Sequence, residues 1–291
     1  MLRLDMRPSC RTNCIDHGYI ERRPENPEHV TTSLVAATPD IIAAAILQKR
    51  RIMTVSAQAL KVQVFADGAD KARMLELYAN PAVKGFTTNP TLMRQVGITD
   101  YEKFAREILV NISDRPISFE VFSDDFEEME RQAEKIASWG KNVYVKIPVT
   151  NTKGESAAPL IKRLVKKDVQ LNVTAILTMA QIDEVVGALK GTKRSYVSVF
   201  AGRIADTGRD PIPFMKHAVA ACNAAGGMEV IWASPRELLN IFQAHEIGCH
   251  VITVTPDILK KLSTAGKDLG VFSLDTVKMF YNDGLAAGFK L

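Results

Sequence analysis

The chain has 291 residues, 46% of them hydrophobic and 24% charged, ordinary proportions for a globular protein with a sizeable core. A net charge of +4 is small for this length, and no basic run is interleaved with aromatics, so nucleic acid is not an expected partner. No run is long and apolar enough to span a membrane, and four scattered cysteines, Cys10, Cys14, Cys222 and Cys249, fit a reduced, cytoplasmic protein.

Residues 1–52 differ from the rest of the chain. They carry Pro8, Pro24, Pro27 and Pro39 with no sustained periodicity, and only Pro39 to Arg51 reads as helical. No apolar core comes after a basic start, as a secretory signal requires, and Asp5, Asp16, Glu21, Glu25 and Glu28 are too many acids for a transit peptide. The segment is expected to be a disordered extension, or translated sequence upstream of a natural start at Met53, with the folded domain over 53–291. Cys10, Cys14 and His17 lie close together, but no fourth ligand of suitable spacing accompanies them, so no metal site is expected.

From Leu60 onward short β-branched runs alternate with helix-length amphipathic segments. The expected strands are Val62–Phe65, Val83–Phe86, Ile117–Val121, Val143–Ile147, Gln170–Val173, Tyr196–Phe200, Glu229–Trp232 and His250–Val254. Helices are expected between them, among others over 124–138, 156–167, 180–189, 211–224 and 235–246, with a last one near 274–286. Eight βα units in about 240 residues is the size of a closed (β/α)8 barrel. An open doubly wound sheet would call for a Gly-rich dinucleotide loop after the first strand, and none is present. The fold class is therefore α/β, a single (β/α)8 barrel with a C-terminal helix and an irregular N-terminal extension.

Lys146 is the residue that does not fit its strand. Val143, Val145 and Ile147 alternate with Tyr144 and Lys146, and Pro148 stops the pattern. An ammonium pays heavily for burial, and a buried lysine can have its pKa lowered until the neutral amine is available as a Schiff-base nucleophile. A lysine snorkelling from an edge to water is the plain alternative. Barrel active sites lie at the C-terminal strand ends. The polar residues there are Asp67, Thr87-Thr88-Asn89, Glu120, Lys146, Asn172 with Thr174, Phe200 with Arg203, and Ser234 with Arg236. Each has a plain structural reading as a turn, a helix cap or a solvated charge. Together, two carboxylates and a lysine suit acid–base work on a carbonyl adduct, and two arginines suit a phosphate.

Gly85-Phe86-Thr87-Thr88-Asn89-Pro90-Thr91 resembles the strand-two signature of the transaldolase family, and Val143 to Thr150 resembles its Schiff-base lysine strand. Asn172-Val173-Thr174, Phe200-Ala201-Gly202-Arg203-Ile204 and Ala233-Ser234-Pro235-Arg236 match later family motifs in the same order, so the resemblance covers roughly 60–291. It implies a class I aldolase-type barrel that needs no metal and no organic cofactor and acts on small sugar phosphates. Catalysis would fall to Lys146, Asp67, Glu120 and Thr174. Lys146 would condense with the ketone of a ketose phosphate, and Asp67 would be the general base for carbon–carbon cleavage. Glu120 and Thr174 would position a water. Thr87, Asn89, Asn172 and Phe200 would line the bound unit, and Arg203, Ser234 and Arg236 would hold the phosphate.

The reaction implied is transfer of a dihydroxyacetone unit from sedoheptulose 7-phosphate or fructose 6-phosphate to an aldose phosphate, in the pentose phosphate pathway. Two alternatives stand beside it. One is an aldolase-like lyase releasing dihydroxyacetone; enzymes of that kind typically carry glutamine at the Glu120 position and tyrosine at the Phe200 position. The other is a sugar-phosphate-binding barrel without catalysis. Small members of the family form homo-oligomers in which the C-terminal helix reaches a neighbour. Phe280, Tyr281 and Phe289 suit that role, and equally suit packing on their own barrel.

Overall fold

A computed structural model of the chain describes residues 60–291. The extension 1–52, the domain boundary at Met53, the helical stretch of Pro39 to Arg51 and the Cys10, Cys14 and His17 group lie outside the described residues.

The eight strands are β1 Gln63–Asp67, β2 Val83–Thr87, β3 Ile117–Glu120, β4 Val143–Pro148, β5 Leu171–Ile176, β6 Ser195–Val199, β7 Met228–Trp232 and β8 Val251–Val254. They pair in sequence order, all parallel, and β8 returns to β1, closing the barrel. The described helices are α1 Lys71–Tyr78, α2 Pro90–Gln95, α3 Tyr101–Asn111, α4 Phe126–Ala137, α5 Ala158–Lys166, α6 Met179–Ala188, α7 Ala201–Ala205, α8 Ile212–Ala225, α9 Leu239–Glu246, α10 Pro256–Lys260 and α11 Leu269–Ala286.

Side chains alternate across a strand, so each strand feeds two cores. The outward residues, such as Val145, Ile147, Val173, Val197 and Val230, join the apolar faces of the helices in one large cluster. In α4 that face is Met129, Ala133 and Ile136, and in α5 it is Leu160, Ile161 and Leu164, the spacing of an amphipathic helix. The inward residues Phe65, Tyr144, Tyr196, Ile231, Ala233 and Val251 form a second, smaller cluster inside the barrel. Gly85 faces Phe65 there. A Cβ at Gly85 would come within 2.6 Å of the Phe65 ring, so the floor takes an aromatic only because β2 offers no side chain.

Helix starts obey the local chemistry. Asp70, Asn89, Asp100, Asp125 and Asp268 each accept a backbone N–H from the first turn of the adjoining helix, and Thr178 with Gln181 makes a capping box. Two helix starts differ from expectation. α9 begins at Leu239 rather than Pro235, because Ser234 to Glu237 form a loop in which Asn240 Oδ1 accepts the N–H groups of Arg236 and Glu237. α11 begins at Leu269 rather than Leu274, set by the Asp268 cap.

β5 also runs three residues beyond Val173, to Ile176, through a break in register at Ala175, which holds φ at 62°. The alternative that the tail aromatics pack on their own barrel is corrected: Phe280, Tyr281 and Phe289 are 65%, 66% and 82% exposed, and α11 buries no residue. Among the described residues no helix is long and apolar enough to cross a membrane.

Candidate active site

Above the aromatic floor the inward positions turn polar, and each is placed by strand register. Glu120 pairs with Lys146, and Lys146 with Asn172, so neighbouring strands set the three side chains side by side. Lys146 is 7% exposed. Its Nζ donates to the Thr88 carbonyl at 3.0 Å and lies 3.3 Å from Glu120 Oε2. The lysine is therefore a buried, paired cation inside the barrel and not an edge residue reaching for water. Of these two contacts the one to the Thr88 carbonyl is a hydrogen bond, and Glu120 is the ion partner.

Asn172 is fully buried, and its amide ties three strands together. Oδ1 accepts from Ser198 Oγ at 2.7 Å, and Nδ2 donates to Ser118 Oγ at 2.9 Å. Thr174, two residues on, is buried, and its hydroxyl has no hydrogen-bond partner among the described residues. It sits beside the Ala175 irregularity; such breaks re-aim side chains next to functional sites.

Asp67 ends β1. Thr87 Oγ1 donates to its Oδ1 at 2.6 Å and also contacts Thr253 Oγ1. A hydroxyl has one proton, so if Thr87 gives its own to Asp67, Thr253 donates to Thr87. Burial pushes the Asp67 carboxyl above the usual carboxylate range, outweighing the Lys146 ammonium and the Thr87 hydroxyl, which both pull it down.

Asn89 Oδ1 receives Leu92 N–H at 3.0 Å in the α2 cap, which leaves its NH2 group and one oxygen lone pair to face a ligand. Phe200 packs on the aromatic floor cluster at the end of β6, with the Arg203 guanidinium 5.8 Å from its ring centre. Arg236 donates from Nη1 to Ser234 O and Oγ, at 3.0 and 2.9 Å, and from Nε and Nη2 to the Asp206 carboxylate. The arginine holds Asp206 below the usual carboxylate range. The arginine-bearing segments after β6 and β7 touch at Gly202, whose N–H reaches Ala233 O at 3.4 Å.

The structure thus gathers Asp67 with Thr87, and Lys146 with Glu120 and Asn172, on the inner wall. Arg203 lies on the short helix α7 after β6, and Ser234 and Arg236 lie on the adjoining loop after β7. Sequence reasoning passed over Ser118, Ser198 and Thr253, although each is a polar residue at an inward, every-second position of an apolar strand. It also missed Asp206 and Tyr101, which no strand-end pattern marks.

The transaldolase/fructose-6-phosphate aldolase family model matches residues 64–287. A probable transaldolase of Dehalococcoides mccartyi is 33% identical over 202 residues, 69% of this chain and 90% of the relative. A probable transaldolase of a Thermoanaerobacter species is 35% identical over 202 residues, 69% of this chain and 89% of the relative. One from Methanococcus maripaludis is 33% identical, with the same two coverages. With a matched barrel from its first strand to its last helix, the chain belongs to the transaldolase/fructose-6-phosphate aldolase family.

Proposed function

We propose that the protein is a transaldolase that moves a dihydroxyacetone unit between sugar phosphates through a Schiff base on Lys146. The observation that carries this reading is the buried Lys146 ammonium, 3.3 Å from Glu120 and beside a wall of hydroxyl and amide groups. A binding pocket alone gains nothing from paying the desolvation of that lysine.

The Lys146 ammonium first gives a proton to Glu120 through a held water; the free amine then adds to the ketone of fructose 6-phosphate or sedoheptulose 7-phosphate, and loss of water gives the iminium. Glu120 and Thr174 hold the water that carries protons in this step; the unpartnered Thr174 hydroxyl supports that role. Asp67 then removes the proton of the C4 hydroxyl. The C3–C4 bond breaks, its electron pair moves toward the iminium, and the aldehyde departs, leaving an enamine on Lys146. A carboxylate whose proton affinity is raised by burial is the stronger base, which supports Asp67 here. Thr87, Asn89, Asn172 and Phe200 line the three-carbon unit, and Arg203, Ser234 and Arg236 take the phosphate. An aldose phosphate captures the enamine by the reverse steps, and hydrolysis frees Lys146.

This chemistry belongs to the pentose phosphate pathway in the cytoplasm. The exposed apolar residues of α11 support a homo-oligomer in which that helix is covered by a neighbouring copy. Product analysis tests the reaction. Fructose 6-phosphate alone should release dihydroxyacetone slowly, and added erythrose 4-phosphate should give sedoheptulose 7-phosphate much faster. Release as fast as transfer would make the protein an aldolase.

A further inference from the structure

We propose that Tyr101 is a positioning residue for the Lys146–Glu120 pair, its hydroxyl standing in for a strand that β2 no longer supplies. The inference rests on the proposed function, in which Glu120 serves Lys146.

In a parallel ladder successive residues direct their N–H and C=O groups to opposite neighbours. Ile117 and Val121 donate to β4, at Asn142 O and Lys146 O, so the main-chain groups of Ser118 and Glu120 face β2. Ser118 is served there, since its carbonyl accepts from Thr88 N at 3.2 Å and from Thr88 Oγ1 at 2.8 Å. One level higher β2 has ended: Asn89 is capping α2, and Pro90 has no N–H to give. Two main-chain groups of Glu120 would be left without partners.

Tyr101, the first residue of α3, fills the gap. Its hydroxyl accepts from Glu120 N at 2.8 Å and donates to Glu120 O at 2.8 Å. A phenol can do both at once because it carries one proton and free lone pairs. The ring is held in an aromatic cluster, with centroids 6.3 Å from Phe119, 5.6 Å from Phe122 and 5.9 Å from Trp139. Burial raises the hydroxyl further above its ordinary ionisation, so it remains a donor at neutral and mildly alkaline pH. The contact is with backbone, so Tyr101 acts only by fixing the strand end that aims the Glu120 carboxylate.

The test removes the hydroxyl and keeps the ring. For Tyr101→Phe in the full chain, kcat and the rate of borohydride trapping with fructose 6-phosphate should fall roughly ten- to a hundred-fold, the scale of a misplaced reacting group. KM should stay within about twofold. In a Glu120→Gln background the same change should cost less than about twofold, because groups acting through one another are not additive. Trp139→Phe, in the same cluster but without a bond to Glu120, should lower the melting temperature and leave kcat alone. Wild-type kcat in Tyr101→Phe, or an equal loss in the Glu120→Gln background, would overturn the inference. If the wild type traps at Lys146 and Tyr101→Phe traps as fast, only this inference fails. If the wild type traps no ketose at Lys146, the proposed function fails first.

Discussion

Gly202 offers a perturbation whose size can be worked from the structure. A Cβ there would lie 1.6 Å from the Ser234 carbonyl oxygen, 2.7 Å from the Ser234 carbonyl carbon and 3.3 Å from Arg236 Cζ. Carbon–oxygen contacts settle near ~3.3 Å, so in Gly202→Ala the loop after β7 must retreat by about 1.7 Å. It has little freedom to do so, because Ser234 already holds φ at 59°, in the left-handed region that is costly for a residue with a side chain. Overpacking of this kind costs ~1–3 kcal/mol, and a chain of this size loses about 2–4 °C per kcal/mol, so the melting temperature should drop by roughly 2–12 °C.

The functional consequence is more specific than the loss of stability. Arg203 is bonded directly to the glycine, and Ser234 and Arg236 sit on the loop that must move. A displacement on the order of 1 Å can cost about a hundred-fold in a positioned interaction. Steady-state assays should show the KM for fructose 6-phosphate rising by one to two orders of magnitude, on the order of that loss. A slow reaction with free dihydroxyacetone, which carries no phosphate, should change little. An unchanged KM alongside a lowered melting temperature would refute the assignment of these two segments to the phosphate.

Two further substitutions test the inner wall. Burial holds the Asp67 proton more tightly in the folded chain than in the unfolded one. The carboxyl therefore lowers stability as pH rises from the usual carboxylate range through its raised value. Asp67→Asn should lose ~10²–10⁴-fold in turnover yet melt higher than wild type above that window and no higher below it; an equal shift at both ends would point to packing instead. Phe200→Tyr adds a hydroxyl to a partly buried ring of the floor cluster and should move the enamine's fate from transfer toward dihydroxyacetone release. An unchanged product ratio would remove Phe200 from the choice between the two.

The legible part of the fold came from period-two alternation and from polar residues at strand ends. All eight strands and their order around the barrel were legible because each is a short β-branched run bounded by turn residues. Lys146 stood out because nothing else on β4 is charged. Ser118, Ser198 and Thr253 were not singled out, since a small hydroxyl residue in a strand carries no signal until the strand's inward face is known. Asp206 and Tyr101 were hidden for a different reason. Both act across 19 or more residues of sequence, through a guanidinium and through a peptide group, and only the closed barrel brings them to their partners. The starts of α9 and α11 were not legible because the Asn240 amide, holding the Ser234 to Glu237 loop, and the Asp268 cap set them, not the apolar pattern.

The most direct measurement is the mass of the protein after borohydride reduction in the presence of fructose 6-phosphate, with the modified peptide sequenced. One reduced three-carbon or sugar-phosphate adduct per chain is expected, on Lys146. None is expected in Lys146→Met, whose unbranched apolar side chain takes the place of the buried lysine stem. Full adduct formation in that variant, or an adduct mapped to Lys84 or Lys141 in the wild type, would contradict the Schiff-base role of Lys146.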